Sequence, residues 1–346
     1  MRPLEILFLF LLAATALADP LEAPVQLAPT SAAHVEVTAT AVGPLAIWIR
    51  DDGVMKAQGR YVTNTAVRGA VASFGDYALV VWTRADGAVM AVRVRPDGMT
   101  AGVVRRIGSN ATGPIAIAAA SDRYFVTWAG TLGEVYAAIV SDVGNPLVPA
   151  MPLTTQSPSM INEIAAAASE NGFAAVWHVW SEKKVFATTA AESGVPASMT
   201  PLLVSDDGLF PDITSNGDSF FAAWTDGDFE SLLARTLTLD RELGRIRSLG
   251  KGMAPRISWD GFAYTVAFAR NVQPRPGFSF PVLWVTRVNV AGGVVETLAS
   301  AAALLPGSWD VDARSGRVHL VRSSSDVAIQ SATVREPDPR MRVLRH

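Results

Sequence analysis

The amino-acid sequence predicts an all-β fold, a β-propeller of seven four-stranded blades. Three observations lead to this prediction. Apolar runs that end in an aromatic residue recur at a nearly constant interval, each run is apolar on both faces of a strand, and the last repeat is one strand short while the N-terminal region has one to spare. Repeated sheets that must be covered on both faces are typical of a radial array of blades.

The repeat is clearest at the residue that ends each apolar run. Successive aromatic residues are 34, 46, 49, 47 and 44 positions apart. A period of about 45 residues fits four strands of about five or six residues with their turns, which is the length of one blade. The aligned copies end at Trp48, Trp82, Trp128, Trp177, Trp224 and Phe268, and a degenerate seventh copy, RVHLV, lies around Leu320.

Each run is apolar on both faces of its strand. In a sheet with one face in water, alternate residues would be polar. In the run YALVVW, however, Trp82 and Val80 lie on one face and Val81 and Leu79 on the other, and SFFAAW shows the same pattern. We therefore expect every sheet to be covered on both sides by neighbouring sheets.

The other three strands of each blade flank the apolar run. A short strand precedes it, as in GPIAIAAASD, a β-prone segment such as VYAAIV follows it, and a turn leads to a weaker fourth strand such as AMPLTTQ. Alanine is frequent in the first strands, as at 118–120 and 165–168. Blades converge towards the axis of a propeller, so small residues are expected on the innermost strand.

The two ends of the chain predict how the ring closes. The last repeat supplies SWDVDA, RVHLVRS and VAIQSATV and then runs into the proline-broken segment EPDPR without a fourth strand. Residues 23–31, APVQLAPTS, resemble the fourth strands of other repeats. We expect the N-terminal strand to complete the C-terminal blade, which gives seven blades; six or eight remain alternatives.

The N-terminus carries the pattern of a secretory signal peptide over residues 1–18. Arg2 precedes the apolar stretch 6–14, and Ala16-Leu17-Ala18 offers a small-x-small cleavage site. The apolar stretch is about half the roughly 20 residues that span a bilayer. We therefore expect a secreted or periplasmic protein with no membrane span after cleavage, a single propeller domain over 19–338 and a basic C-terminal tail over 339–346.

Composition excludes several classes of function. The 346 residues are 49% hydrophobic and 18% charged, with a net charge of -3 and no cysteine. Such a chain has ample material for a core, and neither disulfides nor thiolate metal sites are open to it. The charge gives no attraction for nucleic acid, so we expect no nucleic-acid partner. We expect a monomer held together by packing alone.

The repeats resemble those of secreted bacterial β-propeller proteins, in which G-x-x-[FY]-x-V-x-W is followed by a polar turn and a strand that ends near D-G. The copies GDYALVVWTRADGAVMAVRVRPDG and SDRYFVTWAGTLGEVYAAIVSDVG carry this resemblance, which covers roughly residues 31–338. The resemblance implies the fold and export but no activity. The chain lacks the marks of WD40 and kelch repeats, and it lacks the S-x-D-x-G-x-T-W boxes of sialidase-type propellers, which places glycoside hydrolysis in doubt.

Arginine residues predict one ligand site. Four repeats carry arginine two positions beyond the aromatic or its equivalent, and these loops are expected to surround one mouth of the axial channel. Four guanidinium groups there could hold a carboxylate or phosphate. The alternative is a solvated rim in which the arginines pair with Asp51, Asp52 and Asp86. The four candidates are Arg50, Arg84, Arg270 and Arg322.

The fourth repeat departs from the pattern at WHVWSEKK, where His178 and Trp180 occupy the loop. An exposed tryptophan could stack on a sugar or an apolar group, and the alternative is burial of Trp180 against blade five. The insertion at 270–281 could form a lid or a contact arm, or simply cover a neighbouring blade.

Metal and catalytic patterns are weak. The segment TDGDFE spaces its acidic residues, Asp226, Asp228 and Glu230, as a calcium loop might, but the other ligands of a known loop are missing, and no cofactor is expected. Glu163 and Asp212 could meet across first strands as a catalytic pair, although nothing in the sequence selects them.

Two functions follow from different classes. The first is an exported, non-enzymatic propeller that binds a protein, a glycan or a cell-surface component through its loop face. The alternative is a carbohydrate-active hydrolase or lyase with diverged motifs. Carboxylates that converge at the channel mouth would favour the enzyme, and an arginine or aromatic surface without them would favour binding.

Overall fold

The chain folds into seven four-stranded antiparallel sheets, as predicted from the repeat. The computed structural model describes residues 25–29, 32–155, 159–275, 278–301, 308–314, 317–323 and 327–333. The predicted signal peptide (1–18), the basic tail (339–346) and the segment EPDPR lie outside these residues. Among the residues that are described, no helix is long and apolar enough to span a bilayer.

The strands follow one another in chain order within each of the first six blades. Blade one comprises β2 (His34–Thr40), β3 (Gly43–Ile49), β4 (Met55–Ala57) and β5 (Arg60–Thr63). Blade two comprises β6 (Arg68–Phe74), β7 (Tyr77–Thr83), β8 (Val89–Val94) and β9 (Arg105–Gly108). Blade three comprises β10 (Ala111–Ala119), β11 (Arg123–Gly130), β12 (Val135–Ser141) and β13 (Pro146–Pro152).

The next three blades have the same order. Blade four comprises β14 (Ile161–Ala168), β15 (Gly172–Val179), β16 (Lys184–Ala191) and β17 (Leu202–Ser205). Blade five comprises β18 (Gly208–Ser215), β19 (Phe220–Asp226), β20 (Ser231–Leu237) and β21 (Arg247–Lys251). Blade six comprises β22 (Met253–Trp259), β23 (Tyr264–Arg275), β24 (Phe278–Val288) and β25 (Val294–Ala301).

Blade seven is built from both ends of the chain, which confirms the predicted closure. Its strands are β26 (Ser308–Arg314), β27 (Arg317–Ser323), β28 (Val327–Thr333) and the N-terminal strand β1 (Val25–Ala28). Strand β1 pairs antiparallel with β28, with Val25 opposite Ile329. The hydroxyl of Ser323 also accepts a hydrogen bond from the amide of Ala32 at 2.8 Å. The ring is therefore closed by backbone pairing between the two ends of the described chain.

The apolar residues of each second strand pack between two blades. On β7, Trp82 and Val80 belong to the cluster shared with blade one, while Val81 and Leu79 belong to the cluster shared with blade three. One such hydrophobic cluster lies at each of the seven blade interfaces. The repeat aromatic residues that form these clusters are 7% exposed or less. Both faces of the second strand are apolar because both are covered.

A glycine accompanies several of these aromatic residues. A Cβ atom at Gly108 would lie 2.5 Å from Cζ2 of Trp128, so only glycine lets the end of β9 approach the indole this closely. The indole itself is fixed, because its Nε1 donates a hydrogen bond to Ser109 O at 3.0 Å. The other pairs of this kind are Gly208 with Trp224 and Gly252 with Phe268.

The strand order defines two faces of the ring. Connections from second to third strands, and from each fourth strand to the next blade, lie on what we call the upper face; the remaining connections lie on the lower face. The first strands of all seven blades surround an axial channel of about 720 Å³. At the upper end of this channel the first strands of blades three to six each begin with an irregularity in their pairing.

Candidate functional site

Carboxylate side chains join neighbouring first strands inside the channel. The free edges of these strands present backbone N–H groups with no ladder partner, and these groups donate hydrogen bonds to a carboxylate of the preceding blade. These bonds occur in blades five, six, seven, one and two. They run from Val71 N to Glu36 (2.9 Å), from Ile257 N to Asp212 (2.6 Å), from Val37 N to Asp310 (2.9 Å) and from Ala39 N to Asp312 (2.7 Å).

Arg256 crosses the upper end of the channel. Its guanidinium donates to Glu163, so a residue of blade six is bonded to blade four across the first strand of blade five. Burial raises the pKa of Asp212 to about 6, although the positive charge of Arg256 acts in the opposite direction. Burial and the charge of Glu36 also raise the pKa of Asp310 well above its usual value. The structure thus brings Glu163 and Asp212 to the same arginine.

An aromatic patch lies on the upper face where blades four and five meet. We define it as Trp180, Phe210 and Phe229, three rings whose centroids are 5.7 to 6.0 Å apart and whose planes are inclined by 53 to 66°. Trp180 is 48% exposed and Phe229 is 37% exposed. Trp180 was predicted either to stack on a ligand or to be buried against blade five; it contacts rings of blade five and keeps half of its surface in solvent.

Two members of the patch have an unusual backbone. The φ angle is 52° at Phe210 and 62° at Phe229, a region that bulky residues seldom adopt. Each costs on the order of 1 to 3 kcal/mol, and such residues cluster at functional sites. Phe210 lies in the irregularity of β18 between Leu209 and Asp212, where the strand departs from regular pairing with β19. Irregularities of this kind redirect a side chain.

Lys183 holds the three loops of the patch together. It has a left-handed backbone (φ 52°) at the end of a short 3-10 turn, Trp180–Glu182. Its carbonyl accepts a hydrogen bond from Gly208 N at 2.6 Å, and its ammonium group donates to Gly227 O at 3.0 Å. These hydrogen bonds hold the loops of the patch in place, which reduces the conformational entropy that is lost on ligand binding.

His178 lies beneath the patch. Its ring contacts Phe210 at 5.5 Å and Trp180 at 6.1 Å between centroids, and only 1% of its surface is exposed. Burial lowers the pKa of His178. Neither ring nitrogen makes a hydrogen bond with any residue that the structure describes. On the strand pair β14 and β15 it stands opposite Glu163, so it connects the patch with the end of the channel.

The upper face of blades four and five is strongly acidic. The side chains at the patch and at the adjoining channel end comprise eight acidic and four basic groups, a net charge of -4. The whole chain has a net charge of -3. The acidic groups are Glu163, Glu182, Asp206, Asp207, Asp212, Asp226, Asp228 and Glu230, and the basic groups are Lys183, Lys184, Lys251 and Arg256.

The arginine residues that were predicted to surround the channel mouth have local partners. Arg50 pairs with Asp52 at 3.0 Å and Arg84 with Asp86 at 3.3 Å, each within its own turn. Arg270 is exposed, and its guanidinium lies 5.6 Å from the centre of the Trp284 ring. None of these three side chains lines the channel. Arg322 is placed by its backbone opposite Trp309 and Ala328, and its side chain lies outside the described atoms.

The segment TDGDFE, whose acidic spacing was weighed as a calcium loop, is closed by one of its own carboxylates. Oδ1 of Asp226 accepts hydrogen bonds from Glu230 N at 2.8 Å and from Ser231 N at 3.1 Å. Within the described ranges, no group of three or more His, Asp or Glu side chains is placed to hold a metal ion. Asp228 and Glu230 are exposed at the rim of the aromatic patch.

The sequence analysis missed Phe210 and Phe229. Phe210 follows an Asp-Asp-Gly turn and precedes a proline at the start of β18, and Phe229 ends the acidic turn TDGDF, so both lie outside the apolar second strands that define the repeat. Their position beside these turns was the available signal, because an aromatic residue outside the repeat pattern is seldom needed for the core. Their contact with Trp180 depends on the positive φ angles, which the sequence pattern does not reveal.

Comparison with known proteins supports the fold. No protein-family model matches the chain, and no curated protein matches it in sequence. The chain is similar to the solved structure of the Dos1 propeller, with 8% identity and a TM-score of 0.52 over 92% of this chain and 96% of that one. It is also similar to the BP39L lectin from Burkholderia pseudomallei, with 16% identity and a TM-score of 0.55 over 75% of this chain and 81% of that one. At these identities the likeness concerns the fold alone.

Proposed function

We propose that this protein is an exported, non-enzymatic binding module whose ligand, a protein, a glycan or a cell-surface component, docks on the aromatic patch of the upper face. The observation that carries the proposal is Trp180, half exposed and flanked by two phenylalanines with strained backbones. Exposed aromatic groups that are held rigidly are typical of binding hot spots. The lectin named among the similar propellers is consistent with this function, and the residues 1–18 support export.

The test compares two double variants on arrays of glycans and of peptides. W180A/F229A removes the two most exposed rings of the patch, and F74A/F262A removes two phenylalanines of the lower face, each 43% exposed. We expect the wild type and F74A/F262A to retain the same ligands, and W180A/F229A to lose about tenfold or more in affinity. If both double variants retained the same ligands equally well, the aromatic patch would not be the binding site.

The alternative function, a carbohydrate-active hydrolase or lyase, is favoured by one observation. The pKa of Asp212 is raised to about 6, and the positive charge of Arg256 acts on Asp212 while its guanidinium binds Glu163; a carboxyl group with a raised pKa near a second carboxyl group is what acid–base catalysis uses. Against it, both groups already have partners, since Asp212 accepts Ile257 N and Glu163 binds Arg256. If the binding module is correct, D212N and E163Q retain ligand binding and no polysaccharide is cleaved. Cleavage that both variants abolish would favour the enzyme.

A further inference from the structure

We infer that the ligand of the aromatic patch is cationic, a protein segment whose arginine side chains lie on Trp180 and Phe229 and pair with the surrounding carboxylates. We call these carboxylates the acidic rim and define it as Asp206, Asp207, Asp228 and Glu230. This inference rests on the proposed function and specifies its partner. It starts from the position of the patch in the charge distribution, because the patch and the adjoining channel end have a net charge of -4, whereas the whole chain has a net charge of -3.

Internal pairing leaves the rim negative. Arg256 forms an ion pair with Glu163, and Nζ of Lys184 lies 3.0 Å from Oε2 of Glu182. The ammonium group of Lys183 donates to a backbone carbonyl and keeps its charge, and Lys251 is exposed. Against these two cations stand four exposed carboxylates, those of Asp206, Asp207, Asp228 and Glu230. A neutral ligand would have to displace water from these carboxylates without compensation, whereas a cation gains attraction from each of them.

The rings suit the same chemistry. The face of an indole attracts a cation, and arginine is favoured because its planar guanidinium stacks on the ring while its N–H groups remain free to bind carboxylates. Trp180 is 48% exposed, and the acidic turn of Asp226 to Glu230 carries Phe229 at its tip. A guanidinium on Trp180 therefore lies beside carboxylates of a neighbouring loop.

The loops of the patch are fixed relative to one another, so a partner must fit the surface as it stands. The 3-10 turn of Trp180, the entry of β18 and the acidic turn are connected through Lys183. A short extended segment can lie across such a preformed surface and place alternate side chains on it. Its apolar residues would contact Met160, which is 76% exposed and follows Ser159, whose hydroxyl donates a hydrogen bond to Glu182. The fitting partner alternates arginine with apolar residues.

The experiment measures fluorescence anisotropy of the full chain with labelled octapeptides. One peptide alternates arginine with leucine, a second replaces arginine by serine and a third by glutamate; chitohexaose competes as the glycan probe. We expect the arginine peptide to bind most tightly. Its affinity should fall between about 0.1 and 1 M sodium chloride, as the Debye length shortens from roughly 10 to 3 Å.

Two pairs of variants separate the patch from general electrostatics. W180A is expected to weaken the arginine peptide about tenfold, and F262A, on the lower face, to leave it unchanged. D228N/E230Q removes two rim charges and is expected to weaken binding about fivefold. D240N/E242Q removes two exposed charges from the lower face of the same blade and serves as its matched control.

Each outcome bears on one of the two proposals. If the serine peptide or chitohexaose binds as tightly as the arginine peptide and W180A weakens that binding, the ligand is not cationic and only the inference fails. If the arginine peptide binds in a salt-dependent manner that W180A does not alter, the contact is unspecific and the inference also fails. If W180A and F262A have the same affinity for every probe, both the inference and the proposed function fail.

Discussion

At the scale of single residues, Asp212 couples the channel to the pH of the solution. Burial raises the pKa of this carboxyl group to about 6, above the value of about 3.9 in an unfolded chain. The folded state therefore holds the proton more tightly than the unfolded state. The stabilisation from this proton is fully present below about pH 4 and is lost as the pH rises through about 6.

The variant D212N tests this dependence. An amide cannot ionise, so D212N lacks the stability that the wild type loses between about pH 4 and pH 7.5. The free energy of unfolding of D212N, relative to that of the wild type, should therefore rise by about 1 to 2 kcal/mol over this pH range. Urea denaturation at both pH values measures the difference. D206N, which changes an exposed carboxylate, is the control and should follow the wild type. Parallel profiles for D212N and the wild type would contradict the raised pKa.

Single residues also show where prediction from sequence ends. Arg50 and Arg84 are each followed two positions later by an aspartate, and the local ion pair, one of the two alternatives, is what the structure shows. Their role in ligand binding stays a prediction. Trp180 was recognised because it breaks the repeat. Its partners Phe210 and Phe229 were not, because backbone angles, rather than strand alternation, direct their side chains.

At the scale of strands and turns, a close contact between glycine and an aromatic ring recurs between blades. The end of β9 approaches the indole of Trp128 at Gly108, where a Cβ atom would lie 2.5 Å from the ring. The ring cannot retreat, because it is fully buried and hydrogen-bonded. Substitution must therefore move one blade relative to the next.

We expect G108A to lower the free energy of unfolding by about 1 to 3 kcal/mol through overpacking. The matched test is a double-mutant cycle with W128F, which removes the ring atoms that the new methyl group meets. The cost of G108A should be smaller in the W128F background, since the two residues are in direct contact. Additive effects in chemical denaturation would show that the contact does not limit the packing of the blades.

The strands themselves were predictable because every copy of the repeat needs apolar residues on both faces of its second strand. Trp82 and Val81 face opposite blades, so an apolar residue is needed at consecutive positions, and this pattern recurs in each second strand. Even the degenerate copy around Leu320 forms a second strand, β27. The carboxylate bonds between first strands were not predictable, since they depend on which edge atoms face each other across a blade interface.

At the scale of the whole molecule, stability depends on the closure of the ring. The hydrophobic cluster between blades seven and one contains residues from both ends of the described chain, such as Ala28, Trp48 and Val327. Removal of β1 would expose one side of this cluster and leave the edge of β28 unpaired. The ring would then be open between blades seven and one, and the remaining blades would lose the restraint that this interface provides.

A chain that begins after β1 is expected to lose about 3 kcal/mol of stability or more, which is roughly 5 °C in Tm for a protein of this size. A synthetic peptide of residues 24–31 should raise the Tm again as its concentration increases, with a logarithmic dependence above its Kd, because it can occupy the vacant edge of β28. A peptide of the same composition in scrambled order is the control. An unchanged Tm after removal of β1 would show that the other blades hold the ring without it.

The pairing of Val25 with Ile329 has a consequence for biosynthesis. Strand β1 finds its partner only after blades one to six and the first strands of blade seven have been synthesised, and contacts between such distant positions form late. Until β28 is available, the backbone N–H and C=O groups of β1 have no partner strand, and unpaired strand edges are prone to pair with other chains. The slow step in folding of the ring is therefore expected to be this last pairing rather than the formation of any single blade.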